Sequence, residues 1–278
     1  MKLLRCRETS QTPSSFLRQI GDVFAEFDAT TQDSGNVSYG VAVDGERFFV
    51  KTAGSPCQAA FLCHEERVAW LRNAQRVNAA VSHPALPRLL NVVESPHGPM
   101  LVSEWVAGES LYPTAREDVA GSVPSRFRAL PLGELVAALT SIFSVHAALS
   151  DEGWVACDFY DGSIIYDFDE ASIYLVDLDM YRDGPFVNNM GRMFGSSRFM
   201  APEEYELGAA IDERTTVFNL GRCASVFLSR RALDADRSRL NRLLLVGKTA
   251  CRRDPADRYR TLRAFSQAWA TASHVPSV

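Results

Sequence analysis

The sequence predicts an α+β protein of two lobes, a small β-rich portion followed by a mainly helical one, with a cleft between them. Short apolar runs between turn signals fill the stretch from 31 to 105. The β pattern breaks at Val106-Ala107-Gly108, and beyond it apolar residues recur at helical spacing. The expected division is therefore an N-terminal extension over 1–30, a first lobe over 31–105 and a second over 106–278.

Composition is that of a soluble globular chain: 278 residues, 46% hydrophobic, 23% charged, net charge −5. A chain this long buries an ample core without staples. No basic block or stripe stands out, so neither nucleic acid nor a membrane surface is expected as partner. The start MKLLRCRETSQ returns to charge too soon for a signal peptide, and no long apolar window suggests a span. The six cysteines include no C-x-x-C pair, which suits a reducing, cytoplasmic compartment.

In order along the chain, Phe16, Ile20, Val23 and Phe24 fall at helix-like spacing within the extension. Thr30–Asp33 leads into the turn signal Ser34-Gly35-Asn36. Val37–Val43 reads as a strand, Asp44-Gly45 as a hairpin turn, and Arg47–Thr52 as the partner strand. Lys51 is one of only three lysines and sits inside that apolar strand, where a charge needs a partner. Ala59–Asn73 reads as a helix with Leu62, Glu66, Ala69 and Trp70 on one face. Glu66 on a partly apolar face wants a cation, and Lys51 is the natural one; Glu65, on the face of Phe61 and Val68, is the alternative. Leu86–Val93 and Met100–Trp105 follow as strands. Residues 112–131 are loop-like. Leu132–Leu149 is an amphipathic helix carrying a packed His146. Residues 181–200 lack periodicity, and Thr215–Ser229, Leu240–Ala250 and Thr261–Ser273 complete the helices.

Between them lies GWVACDFYDGSIIYDFDEASIYLVDLDM, residues 153–180. Two short apolar runs, Ser163–Tyr166 and Ala171–Val176, are joined by Asp167–Glu170 and read as a hairpin. Asp158 precedes the first strand by five residues and Asp177 follows the second directly. Antiparallel pairing brings both acids to one end, where they could hold a divalent cation on oxygen.

Taken in order, these features resemble a protein kinase over roughly 33–272. FFVKT resembles the strand with the nucleotide-binding lysine, V-A-I-K in its usual form. His83-Pro84 and LVSEWVAGESL resemble the family's H-P and hinge segments. ACDFYDGSII stands where H-R-D-L-K-P-x-N-I-L would, and VDLDM where D-F-G would. GSSRFMAPEE resembles G-T-x-x-Y-M-A-P-E, TTVFNLG resembles D-V-W-S-L-G, and DPADR resembles D-P-x-x-R. The resemblance implies a bilobal protein-kinase-like fold acting on ATP and Mg2+. It makes Asp158 the catalytic acid/base, with Ser196 beside it in the substrate-seating segment. It makes Asp177 a magnesium ligand and Ser163 the occupant of the second metal-ligand position. Lys51, Glu66, Gly35, Val43, Ser103, Glu104 and Val106 become nucleotide-binding residues, with Ser103 a small gatekeeper. It also implies an ion pair between Arg258 and Glu203.

The departures are specific. Ser163 replaces the metal-binding asparagine, with Asp161 or Asp179 as possible compensation. Tyr160 replaces the catalytic-loop lysine. Cys157 replaces the arginine that meets an activation-loop phosphate, so loop phosphorylation is not expected to be needed. The glycine-rich loop is reduced to SGNVSYG, and the interval between Ser229 and Leu240 is too short for the family's protein-docking helix. The expected function is phosphoryl transfer from ATP to Ser/Thr hydroxyls of a protein substrate. The alternatives are a nucleotide-binding scaffold without catalysis and a small-molecule kinase of the aminoglycoside or choline type.

Overall fold

The computed structural model describes residues 2–28, 34–57, 60–113, 119–229 and 236–274. It is a mixed α/β structure with a sheet-rich part and a helical part. The chain divides into two compact units, one of residues 1–82 with 87–106 and the other of residues 83–86 with 107–278. Residues 1–30 thus belong to the first unit and do not stand apart from it.

In the first unit, helices α1 (Lys2–Arg5) and α2 (Pro13–Ile20) precede strands β1 (Asp22–Phe27), β2 (Val37–Val43) and β3 (Glu46–Thr52). Helix α3 (His64–Ala80) and strands β4 (Leu89–Ser95) and β5 (Gly98–Glu104) follow. The five strands form one sheet in the order β1-β2-β3-β5-β4. The expected helix through Val23 and Phe24 ends at Ile20, because Val23 onward pairs antiparallel with β2. Asp44 and Gly45 both lie at positive φ, as a two-residue hairpin turn requires. Helix α3 starts at His64, several residues after the expected Ala59, which itself lies outside the described residues.

Both faces of this sheet are covered. Leu3, Phe16 and Leu17 from α1 and α2 pack with Tyr39, Val41, Val43, Phe48, Val50 and Val102 on one face. Leu71 and Ala74 of α3 pack with Leu101 and Ala53 on the other. The extension also ties to β4: the Asn91 Nδ2 amide donates to Leu3 O (2.9 Å) and Cys6 O (2.7 Å), and the Thr9 and Glu94 amides are both bonded across this seam.

The second unit begins with β6 (Glu109–Ser110), α4 (Val123–Ala129), α5 (Leu132–Asp151) and β7 (Trp154–Val155). Strands β8 (Ile164–Asp167) and β9 (Ser172–Leu175) form the expected hairpin, flanked by β6. Short strands β10 (Arg182–Asp183), β11 (Phe186–Val187) and β12 (Ala210–Ile211) follow, then α6 (Glu213–Leu228), α7 (Arg237–Ala250) and α8 (Leu262–Ser273). Helix α4 corrects the expectation of loop over 112–131; its Ser122 cap and Pro124 supply an N-terminus. Residues 230–235, where a docking helix was expected to be missing, lie outside the described residues. Helix α5 is long and apolar enough to cross a membrane by length and composition, which corrects the reading that no such window exists. Its Leu135, Leu139, Ile142 and Phe143 are buried in this unit, and Phe143 stacks edge-on with Phe265 and Trp269 of α8.

Candidate active site

The two acids of the hairpin share an unusual backbone. Four non-glycine residues among those described adopt positive φ: Asp44, Asp158, Ala171 and Asp177. Asp44 and Ala171 lie in hairpin turns. Asp158 (φ 58°) and Asp177 (φ 63°) lie at the two ends of the β8–β9 unit instead. Holding a non-glycine residue there costs about 1–3 kcal/mol, and such outliers cluster where a side chain must be aimed. Asp177 is exposed and Asp158 half-buried. Both carboxylates act electrostatically on the buried Tyr181 hydroxyl, which burial above all pushes well up from its ordinary value.

Neighbouring groups fix Asp158. The Ala156 amide donates to Thr216 Oγ1 of α6 at 3.1 Å. Val155 and Cys157 pack with Met193, Met200 and Ile211, which lays 193–200 against the Asp158 loop. A Cβ built on Gly195 would stand 3.8 Å from Asp158 Oδ1. Ser196 therefore follows directly on the residue that abuts Asp158; its carbonyl accepts from the Phe199 (2.8 Å) and Met200 (3.1 Å) amides. His146 is buried: its Nε2 pairs with the Tyr181 hydroxyl (2.8 Å) and its Nδ1 with Ile142 O (2.7 Å). Burial lowers its pKa to about 4, so it is a neutral support for Tyr181.

The turn between Asp158 and β8 carries the departures. Tyr160 packs edge-on to Tyr112 with ring centroids 5.9 Å apart. Asp161 and Ser163 are both 1% exposed. Asp161 pairs with Arg198 through Oδ2, while Asp161 Oδ1 and Ser163 Oγ are buried with no hydrogen-bond partner. Desolvation raises the Asp161 pKa against the pull of Arg198. Asp179 is buried as well. Among the described residues no three His, Cys, Asp or Glu side chains gather as a metal cage. Asp177 and the buried oxygens of Asp161 and Ser163 are hard oxygen donors, the class that suits Mg2+.

The segment after Ser196 is anchored by a polar cluster. Arg258 Nη1 and Nη2 donate to Glu203 Oε1 (2.6 Å) and Oε2 (2.8 Å), a buried two-point pair of the kind the resemblance implied. Thr215 Oγ1 donates to Glu203 Oε1 at 2.9 Å. Glu204 accepts from the Ala201 amide (2.6 Å) and Asn219 Nδ2 (2.9 Å); burial raises its pKa to about 7.

In the first unit, Lys51 sits opposite Ser38 and Leu101, and Phe49 sits opposite Gly40 and Ser103. Opposed residues share a sheet face, so Lys51, Ser103 and Phe49 lie on the α3 side. Strand β3 is central, so Lys51 is not an edge-strand lysine. Val43 lies on the other face, packed with Leu17 and against Gly21. Val43, expected beside the nucleotide, therefore does not share the face of Lys51, because strand period is two. Ala42 occupies the Lys51 face instead. Glu66 is exposed, the third residue of α3, and its carboxylate accepts from the Cys63 amide at 2.9 Å as a helix cap. The apolar face expected for Glu66 belongs to Arg67, Leu71, Ala74 and Val77. Gly35 has φ 81° and borders Arg67. The Glu104 carboxylate pairs with Arg88 and its amide donates to Arg88 O (3.0 Å); Val106 closes the unit.

Four structural groups escaped the sequence reading. Arg67 is fully buried, donating to Ala53 O (2.7 Å), Leu62 O (2.6 Å) and Ser55 O (3.0 Å); in Glu-Glu-Arg it reads as a surface charge. Tyr181 and the Arg198–Asp161 pair carry no local pattern, since their partners are distant in sequence. The available signals were Arg198 and Glu204, both inside GSSRFMAPEE, with Glu204 three residues after the Ala201 amide it accepts from.

A stretch of 150 residues is 31% identical to serine/threonine-protein kinase pkn2 of Myxococcus xanthus. It covers 52% of this chain and 17% of that protein. Over that stretch the relationship is to a kinase. No family model matches the chain.

Proposed function

We propose that this chain transfers a phosphoryl group from ATP to serine or threonine hydroxyls of a protein substrate. The observation that carries the reading is the pair of acids held at positive φ, with Gly195 against Asp158 Oδ1. Phosphoryl transfer asks a protein for positioning and charge neutralisation more than for covalent chemistry. In this reading Asp158 orients the acceptor hydroxyl and takes its proton. Ser196 lines the seat of the acceptor. Lys51 neutralises nucleotide phosphates. Asp177 holds Mg2+, and the ion supplies charge neutralisation at the phosphate oxygens. Asp161 Oδ1 and Ser163 Oγ are buried oxygens without a hydrogen-bond partner among the described residues; in this reading Ser163 takes the place of the second metal ligand and Asp161 compensates for its weaker oxygen.

The test is incubation with labelled Mg-ATP and a generic protein substrate. Label is expected on protein with the wild type, and Asp158→Asn is expected to lose it by about 100-fold or more, the scale of a removed general base. Unlabelled protein with ATP bound would refute transfer.

A nucleotide-binding scaffold is the second reading, and one feature favours it. Phe49 stands where V-A-I-K has alanine, on the Lys51 face. Phe24 and Trp105 crowd Gly40 on that same face, with centroids 4.8 Å apart. A phenylalanine there narrows the room for a base. Thermal shift with ATP but no transfer by either protein would select this reading.

A further inference from the structure

Three guanidinium groups converge on the four residues beside Asp158. Arg192 Nη2 donates to Gly195 O at 3.3 Å. Arg222 Nε, from α6, donates to Arg198 O at 2.7 Å. Arg198 belongs to the segment itself, with 42% of its side chain exposed, and stacks over the Phe199 ring with its guanidinium carbon 5.5 Å from the centroid. Arg192 is exposed and lies over the Tyr205 ring at 5.9 Å.

The carboxylates nearby do not balance them. Asp161 is buried and takes one contact from Arg198. Glu203 is matched by Arg258. Glu204 is enclosed by the Ala201 amide and Asn219. Three guanidiniums against two carboxylates, Asp161 and Asp158, leave a local charge of about +1 on a chain whose net charge is −5. Guanidiniums stacked on aromatic rings keep their planar donors available, a geometry suited to carboxylates.

We propose that this surface selects the substrate, and that the acceptor serine or threonine lies in a peptide segment rich in aspartate and glutamate. The inference rests on the functional reading above and narrows it to a substrate class. Arg192 and Arg222 meet the flanking acids, and Arg198 is oriented by Asp161 to meet the nearest one. The effect belongs to binding and not to the chemical step, because complementary charge acts on encounter and affinity.

The test compares two peptides with one serine each, flanked by glutamates or by glutamines, using the full chain and Mg-ATP. The glutamate peptide is expected to have a kcat/KM higher by about tenfold, shrinking as salt rises from about 0.05 M to about 0.5 M. The double variant R192Q/R222Q is expected to lower the ratio of kcat/KM on the glutamate peptide to that on the glutamine peptide by about tenfold, whereas an equal loss on both peptides, as a displaced segment would give, overturns the inference. Equal kcat/KM on both peptides overturns the inference and leaves phosphoryl transfer standing. Fluorescence anisotropy separates the two claims. Glutamate-peptide binding lost in R192Q/R222Q, without transfer in any sample, supports the surface and refutes the enzyme. Neither binding nor transfer overturns both.

Discussion

Glu204 and His146 are both buried, and their pKa values move in opposite directions. Glu204 has a folded-state pKa of about 7, above its unfolded value, so its contribution is full below about 4.5 and is lost as pH rises to about 7. His146 has a folded-state pKa of about 4, below its unfolded value, so stability is gained as pH rises from about 4 to about 6.5. The two slopes offset each other between about 4.5 and 6.5. Wild-type stability should therefore be nearly flat there. Glu204→Gln keeps an oxygen for the Ala201 and Asn219 donors but cannot ionise, so its stability should climb with pH over that window by up to about 3 kcal/mol. Urea titrations at several pH values check this, and parallel profiles for the two proteins would contradict it. The places of Asp158, Asp177 and Lys51 in the fold were legible at this scale, because apolar runs and turn signals mark the strands beside them. Val43 and Glu66 were not, since their roles depend on a strand register and a helix start fixed only by pairing and capping.

At the scale of elements, ion pairs and a hydrogen bond to backbone hold the segment 193–204. Arg258 with Glu203, Arg198 with Asp161 and Arg222 on Arg198 O join it to the body of the second unit. Removing one partner of a fully buried pair strands a charge, so Arg258→Ala should cost about 3–5 kcal/mol in chemical denaturation. An undiminished midpoint would show that the pair is dispensable. Segment phosphorylation should be unnecessary for activity, and protein treated with phosphatase should keep its full rate. The N-terminal elements make a second case. Leu17 of α2 is fully buried against β2, β3 and β5, so Leu17→Ala should cost about 2–5 kcal/mol. The helical piece of this extension was legible from Phe16 and Ile20, but β1 was hidden, because Val23 and Phe24 continue helical spacing across a boundary set by pairing of β1 with β2. The β8–β9 hairpin, in contrast, was legible from its alternating apolar runs and acidic turn, where Asp167 Oδ1 caps the Asp169 and Glu170 amides.

For the whole molecule, one unit carries Lys51 in its sheet, and the other carries Asp158, Asp177 and the segment 193–204. The similarity to pkn2 covers 150 residues, 52% of the chain. Chelation of the divalent ion should abolish the proposed transfer, because the ion supplies the charge neutralisation at the phosphate oxygens. The most direct measurement is a time course of labelled γ-phosphate moving from Mg-ATP to protein, run with wild type, Asp158→Asn and Asp177→Asn side by side. Label that accumulates on serine or threonine with the wild type and falls by about 100-fold or more in both variants is the expected result. Label that accumulates equally in all three, or in none despite ATP binding, would contradict it.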